Sequence, residues 1–122
     1  MSCTEQDRQY EAGEWPALRG WELIGAERNR QVGREGWTAE HDDTHVNGEL
    51  AQAAACYAWP PPRPLNIKLA WPWDREWWKP EFADPEKPDE WRAARIRTLV
   101  KAGALIAAEI DRLRRGGGAP GQ

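Results

Sequence analysis

Residues 35–49, Glu-Gly-Trp-Thr-Ala-Glu-His-Asp-Asp-Thr-His-Val-Asn-Gly-Glu, hold both histidines of the chain, five carboxylates and a tryptophan. These side chains bind metals, move protons or face a flat ligand. His41 and His45 stand four apart, the spacing of a two-histidine metal pair when both lie on one helical turn. Glu40, Asp42 or Glu49 would add a carboxylate. The motif is His-Asp-Asp-Thr-His rather than His-Glu-x-x-His, and spacing alone fixes no third ligand. The alternative is structural: Asp42 or Asp43 caps a helix while a histidine bonds a backbone carbonyl. Asp42, Asp43, Glu49 and Glu27 also offer the hard oxygens that magnesium takes. They would suit a metal-dependent nucleotide pyrophosphohydrolase. The helical enzymes of that kind use Glu-x-x-Glu on one helix with Glu-x-x-Asp on the next; here Glu40 and Asp43 give one Glu-x-x-Asp, with no paired Glu-x-x-Glu in the second helix.

Aromatic residues are the second candidate. Nine tryptophans stand against one phenylalanine and two tyrosines. Trp37 follows Gly36, so the chain turns sharply there, and the indole either stacks on a ligand or staples a connection. Trp71, Trp73, Trp77, Trp78 and Lys79 pose the same choice: an aromatic wall for a base, or caps on the end of a bundle. Arg28, Arg34, Lys79 and Lys101 are the cations placed to meet phosphates. Lys101 sits in the most apolar part of its helix, where it either snorkels or pairs with Asp42 or Asp43.

The elements that must position these groups follow from periodicity. A first helix is expected over about Pro16 to Arg34, with Leu18, Trp21, Leu23 or Ile24, Arg28 and Val32 on one stripe and Gly36 ending it. A second should start near Asp42–Thr44 and run to Ala58, stopped by Pro60-Pro-Pro-Arg-Pro64. Residues 59–87 form a long connection with seven prolines, in which Leu65–Trp71 alternates like a short strand. The third helix spans Pro88 or Asp89 to about Arg115, with Ile96, Leu99, Val100, Gly103, Ile106, Ile110 and Leu113 at helical spacing. Gly20, Gly25 and Gly103 mark places where another element can come close. The fold class is therefore all-α: a compact three-helix bundle with a long Pro/Trp-rich loop and room for one short β-hairpin. Residues 1–115 form a single domain, and 116–122 a flexible tail.

Composition narrows the function. At 122 residues the chain makes one domain with one modest core. A net charge of −3 with interspersed signs argues against a nucleic-acid backbone binder. Cys3 and Cys56 are not expected to pair, and Cys56 lies in an apolar run as a buried thiol. No secretory or membrane-length apolar run is present, so a cytoplasmic protein is expected.

Two resemblances follow from these motifs. Glu27–Gln31, Glu35–His45, Gly48–Ala58, Trp71–Pro80 and Leu99–Ile110 together resemble a family of small bacteriophage and prophage proteins. That resemblance implies a phage protein acting in the host cell cytoplasm. More distantly, Gly36-Trp37 followed by Asp42-Asp43 and His45 is similar to the ryanodine-receptor repeat domain, whose members include nucleotide-binding modules. The chain departs from that pattern in a shorter Gly-Trp to Asp-Asp spacing, in the spacing to His45, and in His41 where that family has arginine.

The combined expectation is a phage protein that binds a nucleotide-derived ligand. Its sharpest form is a sponge for a cyclic or ADP-ribose-type host immune signal. Arg28, Arg34, Trp37, Glu40, His41, Asp42, Asp43, His45, Trp73, Trp77, Trp78, Lys79 and Lys101 form the expected site, none with a catalytic role. No cofactor is expected, and a divalent metal enters only under the hydrolase alternative. The other alternative is an inhibitor whose tryptophan loop docks a host enzyme. A homo-oligomer is consistent with the apolar third helix.

Overall fold

The computed structural model describes residues 5–116. Among the described residues six helices run in chain order: α1 (Glu5–Glu11), α2 (Gly20–Arg34), α3 (Ala39–Asp42), α4 (Glu49–Ala58), α5 (Leu65–Leu69) and α6 (Pro88–Arg114). Single 3-10 turns lie at Trp15–Ala17 and Arg75–Trp77, and no strand occurs among the described residues. None of these helices is long and apolar enough to cross a membrane. Cys3 and the expected tail beyond residue 116 lie outside the described residues.

Helix α6 is the spine. Pro88 opens it, Asp89 and Glu90 occupy its first turn, and Arg112 and Arg114 its last, each matched to the local end of the helix dipole. It buries mostly small residues: Ala94, Ala102, Ala104 and Ala108, with Thr98, Val100 and Leu105. Small side chains let neighbouring backbones come close, and α4 and α2 both pack on this spine. From α4 come Leu50, Ala53, Ala54, Cys56 and Tyr57, meeting Ala102, Leu105 and Ala108 in the core. Fully burying Leu50 and Leu105 contributes about 1.5–3 kcal/mol each. Helix α2 seats Ile24 at the notch of Gly103, where an added Cβ would lie 2.5 Å from Ile24 Cδ1. Gly103 is thus the close approach that the sequence marked. Gly20 meets nothing within 4 Å and Gly25 only the Gln6 side chain at 3.8 Å.

Four expectations need correction. The first helix does not run on from Pro16: it begins at Gly20, after the turn at Trp15–Ala17, where Glu22 returns its carboxylate to the Arg19 amide at 2.9 Å. The second helix does not begin at Asp42–Thr44. Gly48, at φ +81°, starts α4 at Glu49, and residues 39–42 form a separate turn of helix. The alternating stretch Leu65–Trp71 is not a strand: Leu65–Leu69 is helical, with Pro64 just before it. There, Ile67 and Ala70 face the core while Leu65 and Leu69 are about two-thirds exposed, which is helical rather than alternating burial. Finally, the aliphatic stripe of α6 is only half buried: Ile96, Leu99, Ile106, Ile110 and Leu113 are each 42–50% exposed.

Helix α1 is fastened to α2 by polar contacts. Gln6 Nε2 donates to Glu22 O at 2.8 Å, and Asn29 donates to Asp7 at 3.1 Å. The Tyr10 hydroxyl donates to the buried Glu27 carboxylate at 2.5 Å. Burial pushes the Glu27 carboxyl up, but hydrogen bonds from Arg30, Tyr10 and Gln31 outweigh it and hold the group below its ordinary range. Burial and the Glu27 charge push the Tyr10 phenol well above its ordinary value.

Candidate functional site

The site is built where α2 ends. Gly36 adopts φ +71°, which suits glycine, and the Trp37 amide turns back to donate to Gln31 O at 3.0 Å. The Thr38 hydroxyl caps α3 by accepting from His41 N at 3.3 Å. Asp42 accepts the His45 amide at 3.0 Å through its carbonyl, and the Thr44 hydroxyl donates to His41 O at 2.7 Å. These bonds wind residues 38–45 into a tight turn. Capping therefore falls to Thr38, not to Asp42 or Asp43.

The turn meets the tryptophan loop. Trp37, His41, Asp42, His45, Trp73 and Trp77 line one cavity of about 500 Å³. The His41 and His45 rings meet edge to face at 5.0 Å, and His45 lies 5.0 Å from Trp73. Trp73 in turn contacts Trp37 at 6.5 Å and Trp71 at 5.4 Å, both edgewise. Glu35 and Asp74 complete the polar part of the wall.

Asp42 is fully buried. Its Oδ2 pairs with the Arg28 guanidinium, while Oδ1 has no hydrogen-bond partner. Burial, followed by the neighbouring His41, pushes the His45 imidazole below its ordinary value, against the opposing pull of Glu49 and Asp42. The His45 Nδ1 lies 3.4 Å from Glu49 Oε2, which leaves Nε2 as the open ring nitrogen.

The remaining expected residues lie elsewhere. Asp43 pairs with Arg115 at 2.8 Å across the α3–α6 contact. Glu40 is exposed and Arg34 sits in the exposed last turn of α2; neither lines the cavity. Lys79 does not line the cavity; its Nζ lies 5.7 Å from the ring of Trp77, which does. Lys101 pairs with neither Asp42 nor Asp43: its ammonium donates to Lys79 O at 2.8 Å. Trp78 stacks on Trp71, with ring centroids 5.7 Å apart and planes 13° from parallel, and lines a different cavity.

Glu35, Asp74 and Leu50 were not anticipated on the wall. Asp74 had a readable signal: in Trp71-Pro-Trp-Asp74 it closes a tight turn, with Trp71 Nε1 donating to its carbonyl at 3.0 Å. Tyr57 orients the loop by accepting the Lys79 amide at 3.0 Å.

The carboxylates proposed for magnesium are engaged by protein. Glu27 takes Arg30, Tyr10 and Gln31; Asp42 takes Arg28; Asp43 takes Arg115; Glu49 accepts the Asn47 amide at 2.8 Å. Among the described residues no group of three or more His, Cys, Asp or Glu is arranged to hold a metal ion. The two histidines belong to the turn around α3 and contact each other edgewise, not along one continuous helix.

Compared with protein families, with curated proteins and with solved structures, the chain matches none.

Proposed function

We propose that the chain is a binding module for a nucleoside-like ligand seated in the Trp37–His45–Trp73 cavity, and that it holds this ligand without turning it over. The carrying observation is convergence: three indoles, two imidazoles and a buried carboxylate, drawn from two segments about thirty residues apart, line one cavity of about 500 Å³. That volume suits a small-molecule site. Stacking on an indole contributes about 1–3 kcal/mol per base. His45, whose Nδ1 faces Glu49, offers its Nε2 to a base edge, and Asp42 brings an acceptor that protein groups leave half used.

The electrostatics set the pose. Glu35 and Asp74 on the wall repel phosphate, and Arg28 is already committed to Asp42. Base and ribose therefore belong inside, with phosphates at the rim beside Lys79. This favours an ADP-ribose-type ligand over a compact cyclic dinucleotide, whose phosphates lie within the ring. Together with the phage resemblance, it points to a sponge that sequesters such a signal from a host defence system.

The test is calorimetric titration with adenosine, ADP-ribose and a cyclic dinucleotide, beside native mass spectrometry of protein exposed to lysate from defence-activated cells. ADP-ribose should bind tightest, and Trp73→Ala should weaken it at least tenfold. Absence of any nucleoside binding, together with no retained ligand mass, would sink the reading.

A further inference from the structure

A second cavity, of about 560 Å³, lies on the other side of the tryptophan loop. Trp78, Phe82 and Trp91 form its apolar walls, and Arg63, Lys68 and Arg95 its cationic ones. Arg63 is only 8% exposed. Its guanidinium donates to Cys56 O at 2.9 Å and Tyr57 O at 3.0 Å. Arg95 donates to Tyr57 O at 3.1 Å, Trp59 O at 3.3 Å and Ala58 O at 2.5 Å. All five bonds end on four carbonyls at the end of α4, Tyr57 O taking two of them.

Those carbonyls hold the arginines in place but do not neutralise them. A helix C-terminus carries about half a negative charge, against two full positive ones. No carboxylate pairs with either arginine among the described residues, and burial holds both guanidiniums below their ordinary value. Glu81 also lines the cavity, but its carboxylate is taken by Arg97 at 2.7 Å. The Thr98 hydroxyl is used twice, donating to Ala94 O and accepting from the Glu81 amide. Trp78 Nε1 is buried with no acceptor at all. The wall is thus rich in donors and poor in free acceptors, and it surrounds an apolar space.

We propose that this cavity binds an organic anion with a flat apolar body, its charged end held by Arg95, Arg63 and Lys68 and its body packed against Trp78 and Trp91. Guanidinium pairs already fixed by backbone carbonyls lose little freedom on meeting a carboxylate. The matched probes are naphthalene-2-carboxylate and its uncharged carboxamide, titrated by calorimetry. The carboxylate should bind at least tenfold more tightly. Lys68→Glu, at an exposed position, should weaken the carboxylate severalfold and leave the amide unchanged. Arg95→Gln should shrink the preference further, and Trp73→Ala, in the other cavity, should leave the ratio of the two affinities unchanged. Equal binding of the two probes, no binding at millimolar concentration, or a preference abolished by Trp73→Ala would each overturn the proposal.

Discussion

Replacing Asp42 by alanine should cost more stability than any surface substitution. The Asp42 side chain is 1% exposed and that of its partner Arg28 13%. Removing one member of a buried ion pair leaves the other charge without compensation, at about 3–5 kcal/mol. Arg28 keeps a long 3.5 Å hydrogen bond to Trp37 O and a little solvent contact, which places the cost near the lower end, about 3 kcal/mol. For a chain of this length that is a quarter to half of a total stability of roughly 6–12 kcal/mol. At about 4 °C per kcal/mol, Tm should fall by about 12 °C. Urea and thermal melts followed by far-ultraviolet circular dichroism measure both quantities. Arg28→Met alone should cost a similar amount, because it strands the carboxylate. The double replacement Arg28→Met/Asp42→Leu should recover most of the loss, since apolar groups of similar volume need no counter-charge. A loss below 1 kcal/mol for Asp42→Ala, or strictly additive single losses, would show that the pair is not the buried, coupled unit described here.

Three further outcomes follow. Gly103→Ala gains about 1 kcal/mol of helix propensity but forces its Cβ to 2.5–2.6 Å from Ile24, so denaturant melts should show a net loss of about 1 kcal/mol. The same substitution in an Ile24→Ala background should become stabilising. Tyr10→Phe strips one donor from the buried Glu27 carboxylate and should cost about 1.5–3 kcal/mol, read from the urea midpoint at constant slope. The third concerns pH. Because the folded-state pKa of His45 is depressed, the unfolded chain takes up the proton first as pH falls. Its contribution is complete above the unfolded value of about 6.5 and is lost as pH falls through that value toward the folded one. Stability profiles of wild type and His45→Gln should converge over that acidic window; parallel profiles would contradict the assignment.

The sequence made some features legible and hid others, for physical reasons. Helix α6 was readable to within a residue because Pro88-Asp-Glu and the terminal arginines mark its ends independently of packing. Its apolar stripe misleads about the core. Long aliphatics signal a helix face, yet the face used inside the chain is the alanine face, where close approach matters more than side-chain volume. The start of α4 was misplaced because Asp42, Asp43 and Thr44 are all good capping types, while the turn is capped by Thr38 and restarted by Gly48. For the cavity, six of the expected residues do converge, because Gly36 and the two histidines sit in one short turn. The cations were not placed by sequence: where Arg28 or Lys101 ends depends on which carboxylate or carbonyl the tertiary fold brings near.

Trp71 stands between the two cavities. It touches Trp73, which lines one, and stacks on Trp78, which lines the other, while Tyr57 packs against its edge. Being 9% exposed, it has little free volume in which to absorb a shift. A guest that tilts Trp73 therefore does work on Trp78 through a single indole, and the reverse holds equally. Thermodynamic reciprocity then requires that each occupant alter the other's dissociation constant by the same factor. Titrating either probe in the presence of the other measures that factor twice, and Trp71→Leu, which severs the mechanical link while keeping an apolar side chain, should bring it toward one.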